Sequence, residues 1–283
     1  MEEIFHTPVL LQEVIEGLNV KAGKKYIDAT LGGGGHGLEI VKRGGIVLGI
    51  DVDQEAIDFV KLRIEIGKDL ILAQGNFRDL AEIAHKHGFD RVAGIIFDLG
   101  VSSHQLNKAE RGFSFQKDAP LDMRMDKALS VTAADLVNGL YKNELIYIFE
   151  KFAGEEMARL IANAIDRARL IKRIETTGQL AAIIEQVKRR RGKVHPATKV
   201  FQALRIAVND ELVSLEKALV QGADLLEKDG RMAVISFHSL EDRIVKEFFK
   251  GRQLTKKPIT PLEKEVRVNA RARSAKLRIY QNI

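Results

Sequence analysis

Two rhythms of apolar positions alternate along the first third of the chain. Short apolar runs close at Lys25 to Asp28, Ile46 to Val52, Leu70 to Gln74 and Val92 to Asp98, and glycine, asparagine or aspartate stands near their ends. Runs of that length between turn residues read as buried strands. Between them apolar residues recur every three or four positions, over Leu38 to Arg43, Gln54 to Ile66 (stripe Ala56, Ile57, Val60, Ile64) and Asp79 to His87. That period predicts helices, with Asp53 as the cap of the second. An opening helix is predicted from a Thr7-Pro8 start, with Val9, Leu10, Glu13, Val14 and Leu18 at helical spacing. Strands alternating with helices in this way predict a parallel sheet covered on both faces.

Past Asp98 the rhythm changes. Leu99 to Leu106 reads as a loop, and the stretch from Arg111 to Asp126 has no clear period. Helices are then predicted over Ala133 to Tyr141, Glu144 to Phe152, Glu155 to Lys172 and Leu180 to Arg190. Thr132 with Asp135, and Thr176 with Gln179, have capping-box spacing. From His195 onward, Val200, Leu204, Val208, Leu212, Leu215 and Leu219 predict one long helix down to Leu226, ended by Asp229-Gly230. Arg231 to Phe237 reads as a fifth strand, and Ser239 as the cap of a helix from Leu240 to Lys250. The tail has β-like stretches at Lys257 to Ile259 and Leu277 to Tyr280, suited to closing the sheet as an antiparallel pair. The expected fold is α/β, a Rossmann-like sheet with helices on both faces and an inserted all-helical domain. Residues 1–106 and 198–283 form the first domain in this reading, and 107–197 the insertion.

Composition narrows this picture without redirecting it. At 283 residues, 45% of them hydrophobic, the chain suits one domain with a sizeable insertion. No run approaches the roughly 18–20 uncharged apolar residues of a membrane span. The acidic start, Met1 to His6, lacks the basic and apolar pattern of a signal peptide. The absence of cysteine excludes disulfides and thiolate metal sites. His85 and His87 read as a solvated helix end, so no metal is expected, and a soluble cytoplasmic protein is. The net charge is +6, and its basic residues concentrate in Lys188 to Lys193 and Arg267 to Arg278. Clusters of that kind attract phosphate backbones.

Candidate chemistry gathers at the strand ends. Four consecutive glycines, Gly32 to Gly35, follow the first strand and precede a helix. Such a turn lets a ligand lie against peptide N–H groups, and Asp51 after the second strand stands where an acid meets a ribose hydroxyl. Gly32, Gly34 and Gly37 satisfy the dinucleotide pattern G-x-G-x-x-G literally, which brings NAD into consideration. Asp28 and Thr30 weigh against it, because a pyrophosphate gains nothing from a neighbouring carboxylate. S-adenosylmethionine, which has an ammonium group and no phosphate, suits acids on both sides of the glycines. Asp28, Asp51, Asn76-Phe77 and Asp98 all fall at the carboxyl ends of strands, where open α/β sheets bind ligands.

Seven blocks carry a resemblance over His6 to about Arg278: DATLGGGGH at 28–36, DLGVSS at 98–103, RGFSF at 111–115, PLDMRMD at 120–126, HPATK at 195–199, FQALRI at 201–206 and ISFHSLEDR at 235–243. In these the chain resembles the bacterial MraW/RsmH-type methyltransferases. Gly37 departs from the usual serine, and Ala270 after Asn269 from the usual proline. The resemblance implies an S-adenosyl-L-methionine-dependent enzyme methylating N4 of a cytidine in the decoding centre of 16S rRNA, about position 1402, with the small ribosomal subunit as partner. It places the cofactor contacts on Gly34, Gly35, His36, Asp51, Phe77, Asp98 and Gln105. In this reading the glycine turn offers backbone N–H groups to the methionine end, and Asp51 accepts from the ribose hydroxyls. Phe77 lies along the adenine, Asp98 pairs with the ammonium, and Gln105 serves the methionine or the incoming base.

Arg111, Arg124, His195 and Lys199 are the candidates for holding RNA. Many amino-methyltransferases acting on bases carry Asn/Asp-Pro-Pro-aromatic after the fourth strand. Here Asp98-Leu99-Gly100-Val101 stands instead, so no catalytic residue is assigned. Two other functions stay open at this stage, an NAD-dependent oxidoreductase and a non-catalytic RNA-binding or ribosome-assembly protein. Monomer and homodimer stay open as well.

Overall fold

The computed structural model describes residues 8–63, 67–189 and 195–283. The chain divides into two compact units, one built from 1–102 and 212–283, the other from 103–211. The first unit starts with α1 (Leu11–Leu18), β1 (Lys25–Asp28), α2 (Gly35–Lys42), β2 (Ile46–Asp51), α3 (Gln54–Arg63), β3 (Leu70–Gln74), α4 (Leu80–Lys86) and β4 (Val92–Asp98). Helix α1 begins later than the Thr7-Pro8 pair suggests, because Leu10 is left-handed with φ 53° and turns the chain first; Thr7 lies outside the described residues, as does Ile64. Helix α2 starts earlier than expected, inside the glycine run. Asp53 caps α3 as predicted, accepting the Glu55 N–H at 3.1 Å.

The second unit holds α5 (Ser103–Asn107), α6 (Ala133–Gly139), α7 (Lys142–Ala153), α8 (Ala158–Ile171), α9 (Thr177–Val187) and α10 (Thr198–Asn209). Helix α5 replaces part of the predicted loop; five residues are too few for an apolar period to show. Both capping boxes form, Thr132 with Asp135 before α6 and Thr176 with Gln179 before α9. Replacing Thr132 by alanine leaves the Asp135 N–H without its 3.2 Å acceptor and should cost about 1 kcal/mol, read as a lower urea midpoint. An unchanged midpoint would show that the box is redundant.

The long helix expected from His195 to Leu226 is two helices, α10 and α11 (Glu211–Leu225), the latter returning to the first unit. Asp210 between them is left-handed, with φ 50°. The Asn209 amide explains why the helix stops there: it accepts the Met125 N–H at 2.7 Å and donates to the carbonyls of Met123 and Arg205, each at 2.8 Å. These bonds tie the end of α10 to the 123–125 loop. Aspartate tolerates the left-handed region that most residues avoid, so the apolar period runs on across a real break.

The remaining elements are β5 (Leu226–Ser236), α12 (Ser239–Phe248), α13 (Glu263–Val268) and β6 (Lys276–Gln281). His238 caps α12 in place of Ser239; its imidazole accepts the Glu241 N–H, and the Glu241 carboxylate accepts the N–H groups of Phe237 and His238. The strands lie in the order β3-β2-β1-β4-β5-β6, all parallel except β6, which runs antiparallel to β5. The tail therefore closes the sheet as expected, with Ile259 bridging Leu277. Alternate residues of the central strands feed two cores. Ile27, Ile95, Phe97 and Val234 face one, packed with α11 residues such as Leu215 and Leu219. Tyr26, Val47, Ile96 and Ile235 face the other, with Val14 and Ile15 of α1. Each such aliphatic side chain, fully buried, contributes about 2 kcal/mol.

Candidate active site

The chain goes from β1 to β2 and β3 on one side and then crosses to β4 on the other, so the order reverses between β1 and β4. At such a switch point the flanking loops diverge and leave a crevice at the carboxyl edge. Asp28 ends β1, Asp51 ends β2 and Asp98 ends β4, and Phe77 follows β3 in a 3-10 turn. The structure thus brings four of the sequence-predicted positions to one edge of the first unit, with the glycine turn beside them.

The turn is shaped by its acids. Asp28 is 1% exposed and accepts the Thr30 N–H at 3.2 Å and the Gly37 N–H at 3.1 Å. It therefore clamps the turn from strand to helix. Burial penalises its charged form and pushes the carboxyl up to about 7; the Thr30 N–H pulls it down, and the charges of Asp98 and Asp51 add to the rise. Asp51 accepts the Gly32 N–H at 2.7 Å on one oxygen and the Asp53 N–H at 2.9 Å on the other. These two bonds fix the orientation of the carboxylate at the end of β2.

Thr30, not among the predicted contacts, sets Asp98 in place by accepting its backbone N–H at 2.6 Å. His36 is 4% exposed and lies 3.0 Å through Nε2 from the Val9 carbonyl, which only accepts, so Nε2 carries the proton. Its Nδ1 is 3.8 Å from the Asp98 carboxylate. The Phe77 ring stands edge-on to Phe97, with centroids 5.9 Å apart.

Close approach explains the glycines. Gly34 is left-handed at φ 78°, and its N–H is already bonded to Leu31 O at 2.7 Å. A Cβ on Gly35 would lie 2.9 Å from Pro8 Cγ, closer than real side chains come. At Gly37 it would lie 3.2 Å from Asp28 Oδ2. The first-turn N–H groups of α2 have no intrahelical acceptors and give that end of the helix a partial positive charge.

The remaining candidates belong to the second unit. Gln105 is buried in α5. Arg111, 3% exposed, donates to the carbonyls of Arg124 and Met125 at 3.0 and 2.9 Å. Arg124 grips Asp122 at 2.7 and 2.9 Å and donates to Lys127 O and Leu129 O. Both guanidinium forks thus hold the 122–129 loop, an engagement that residue type and spacing do not disclose. His195 stacks on Phe115 at 4.3 Å, and its Nε2 is 2.9 Å from Glu185. Lys199 donates to Gly154 O at 2.8 Å. His195 and Lys199 line a cavity of about 660 Å³ together with Glu155, Lys188 and Pro196. Arg190 to Lys193 of the basic run lie outside the described residues.

A six-stranded sheet with this strand order, a bare glycine turn at its switch point and acids along the same edge define an α/β methyltransferase whose methyl donor is S-adenosyl-L-methionine. The chain belongs to the MraW methylase family, which it matches over residues 3–283. It is 46% identical to the ribosomal RNA small subunit methyltransferase H of Carboxydothermus hydrogenoformans, with 99% of each chain covered. It is 47% identical to the protein so named in Persephonella marina, over 98% of this chain and 99% of that one. The Clostridium botulinum protein of the same name is 43% identical over 99% of this chain and all of its own. Family membership sets aside the nicotinamide reading of the glycine pattern. Among the described residues, no helix is long and apolar enough to cross a membrane.

The residues present fit the donor. Asp51 and Asp98 near the switch point would repel a pyrophosphate but suit a diol and an ammonium, while Asp28 is buried against the turn's own N–H groups. Contact with Pro8 at Gly35 and the left-handed backbone of Gly34 keep these two positions of the turn without side chains.

Proposed function

We propose that this protein methylates N4 of a cytidine in the decoding centre of small-subunit (16S) rRNA. The single observation that carries the reading is the gathering of Asp28, Asp51 and Asp98 with the glycine turn at one sheet edge; the relatives' names support small-subunit ribosomal RNA as the substrate, and the cytidine N4 is what the motif resemblance implies. Asp51 would accept the ribose hydroxyls, Phe77 would face the adenine, and Asp98 with the α2 N-terminus, from Gly34 to His36, would receive the methionine end. Asp28 holds that turn in shape from beneath. Gln105 is proposed to serve the methionine or the base, and His195 and Lys199 to meet RNA beside the cavity they line. Arg111 and Arg124 would contribute by holding their loop.

When bound, S-adenosylmethionine supplies an electrophilic methyl group on a sulfonium. Cytosine N4 is a poor nucleophile, since its lone pair is delocalised into the ring. The residues' task is therefore to hold donor and amine in line and to exclude water, and such positioning supplies most of the acceleration in displacements of this kind. The target base must leave its stack to reach the crevice. The test is incubation of the protein with labelled S-adenosylmethionine and 30S particles, followed by mass identification of the product nucleoside. N4-methylcytidine is the expected result, and its absence would refute the reading.

A further inference from the structure

A second feature of the carboxyl edge concerns what lies beyond the donor acids. Strand β6 is antiparallel to β5 and begins at Lys276, which pairs with Ser236, the last residue of β5. Asp98 pairs with Ile235, one residue earlier. The 3-10 segment Ala270–Ser274, which feeds β6, therefore emerges at the same edge as the acids, at its β5–β6 end. The donor acids sit on β1, β2 and β4, so this end flanks the crevice on the side away from Asp51.

The segment is fixed on both sides of Arg271. Ala272 and Ala275 are fully buried in the core that also holds Val9 and Leu10, and the Leu10 N–H is accepted by Glu265 at 2.8 Å. Since Val9 holds His36, one bonded wall runs from the glycine turn to this segment. Within it the Nη1 of Arg271 is buried and has no hydrogen-bond acceptor among the described residues. Burial lowers the guanidinium's pKa. Its basic neighbours differ: Lys276 and Arg278 are both held by Asp242, at 3.1 and 2.8 Å. Arg271 as a whole is only partly buried, so its Nη1 is withdrawn from water without an acceptor while the side chain still reaches solvent; an unpaired, partly desolvated cation of this kind favours an anion beside it. Arg273, two residues on, is exposed and carries a second positive charge outward.

We propose that Arg271, with Arg273 at its rim, binds a phosphodiester oxygen of the RNA next to the extruded nucleotide and so registers the strand against the donor. This rests on the RNA substrate argued above. Arg presents planar paired donors that match phosphate, and the β5–β6 end adjoins the donor acids on β1, β2 and β4 without being taken up by them.

The test compares the full-length protein with Arg271→Ala and Arg271→Lys, measuring binding to 30S particles against salt, S-adenosylhomocysteine affinity and the thermal midpoint. Arg271→Ala should weaken RNA binding about tenfold or more and reduce the slope of log K against log salt by about one. S-adenosylhomocysteine affinity should not change, and the thermal midpoint should not fall. Lysine should restore the slope but only part of the affinity. Unchanged RNA affinity and slope would overturn the proposal alone. A tenfold loss of S-adenosylhomocysteine affinity would instead assign Arg271 to the donor's carboxylate, and a lower midpoint with intact RNA binding would make it structural. If the unsubstituted protein binds no RNA, the substrate reading falls first and this proposal with it.

Discussion

Replacing Asp51 by alanine is expected to weaken S-adenosylhomocysteine binding about a hundredfold. Two effects combine. The variant loses the charged acceptor proposed for the ribose diol, and charged hydrogen bonds of that kind contribute about 1.5–3 kcal/mol. It also strands the Gly32 and Asp53 N–H groups, which Asp51 now accepts at 2.7 and 2.9 Å, so the turn and the start of α3 lose their common anchor. Asp51→Asn keeps one acceptor and should fall between wild type and alanine. Calorimetric titration decides the matter. An alanine variant that binds normally, set beside an Asp53→Ala variant that does not, would move the ribose contact to the neighbouring acid.

The second large effect is the pH dependence set by Asp28. Its carboxyl stands at about 7 in the folded chain against 3.8 in an unfolded one. The folded state thus holds this proton more tightly, so the stabilisation is fully present below about pH 4, declines as pH rises, and is gone above about pH 7. A shift of about three units corresponds to at most about 4 kcal/mol. Asp28→Asn removes the titration but also an acceptor, leaving one of the Thr30 and Gly37 N–H groups unsatisfied at a cost of about 1–3 kcal/mol. Urea midpoints measured across this range should fall with pH in the wild type. In the variant they should start lower and fall less steeply. Parallel curves for the two proteins would show that Asp28 is not the group responsible. Binding a cationic ligand beside this carboxyl should also release protons below pH 7, seen as a dependence of binding heat on buffer ionisation enthalpy.

The parallel strands were legible because they are buried on both faces and so read as unbroken apolar runs, Val92 to Asp98 most plainly. The acids at their ends were legible for the related reason that charge directly after such a run is out of place unless it does something. What the sequence could not disclose was tertiary. The break at Asp210 leaves the apolar period of α10 and α11 intact, and only the Asn209 amide, bonded to a loop some eighty residues earlier, reveals it. Asp28 reads from sequence as one more ligand acid, but its burial against two N–H groups makes it the clamp of the turn. Arg111 and Arg124 read from the sequence as candidates for holding RNA, and their forks are engaged by carbonyls and by Asp122. Thr30 could have been suspected, since a hydroxyl between an acid and a glycine run is well placed to accept a neighbouring strand's N–H.

The sheet's construction from two distant segments has a consequence for biosynthesis. While the protein is being made, β1 to β4 leave the ribosome long before β5, with the whole helical unit in between. The open flank of β4, whose Ile95, Ile96 and Phe97 are fully buried once β5 pairs with it, must wait through that interval. A nascent chain with such an edge is prone to mispairing with other strands, so the growing polypeptide should depend on chaperone cover until its last third has been translated.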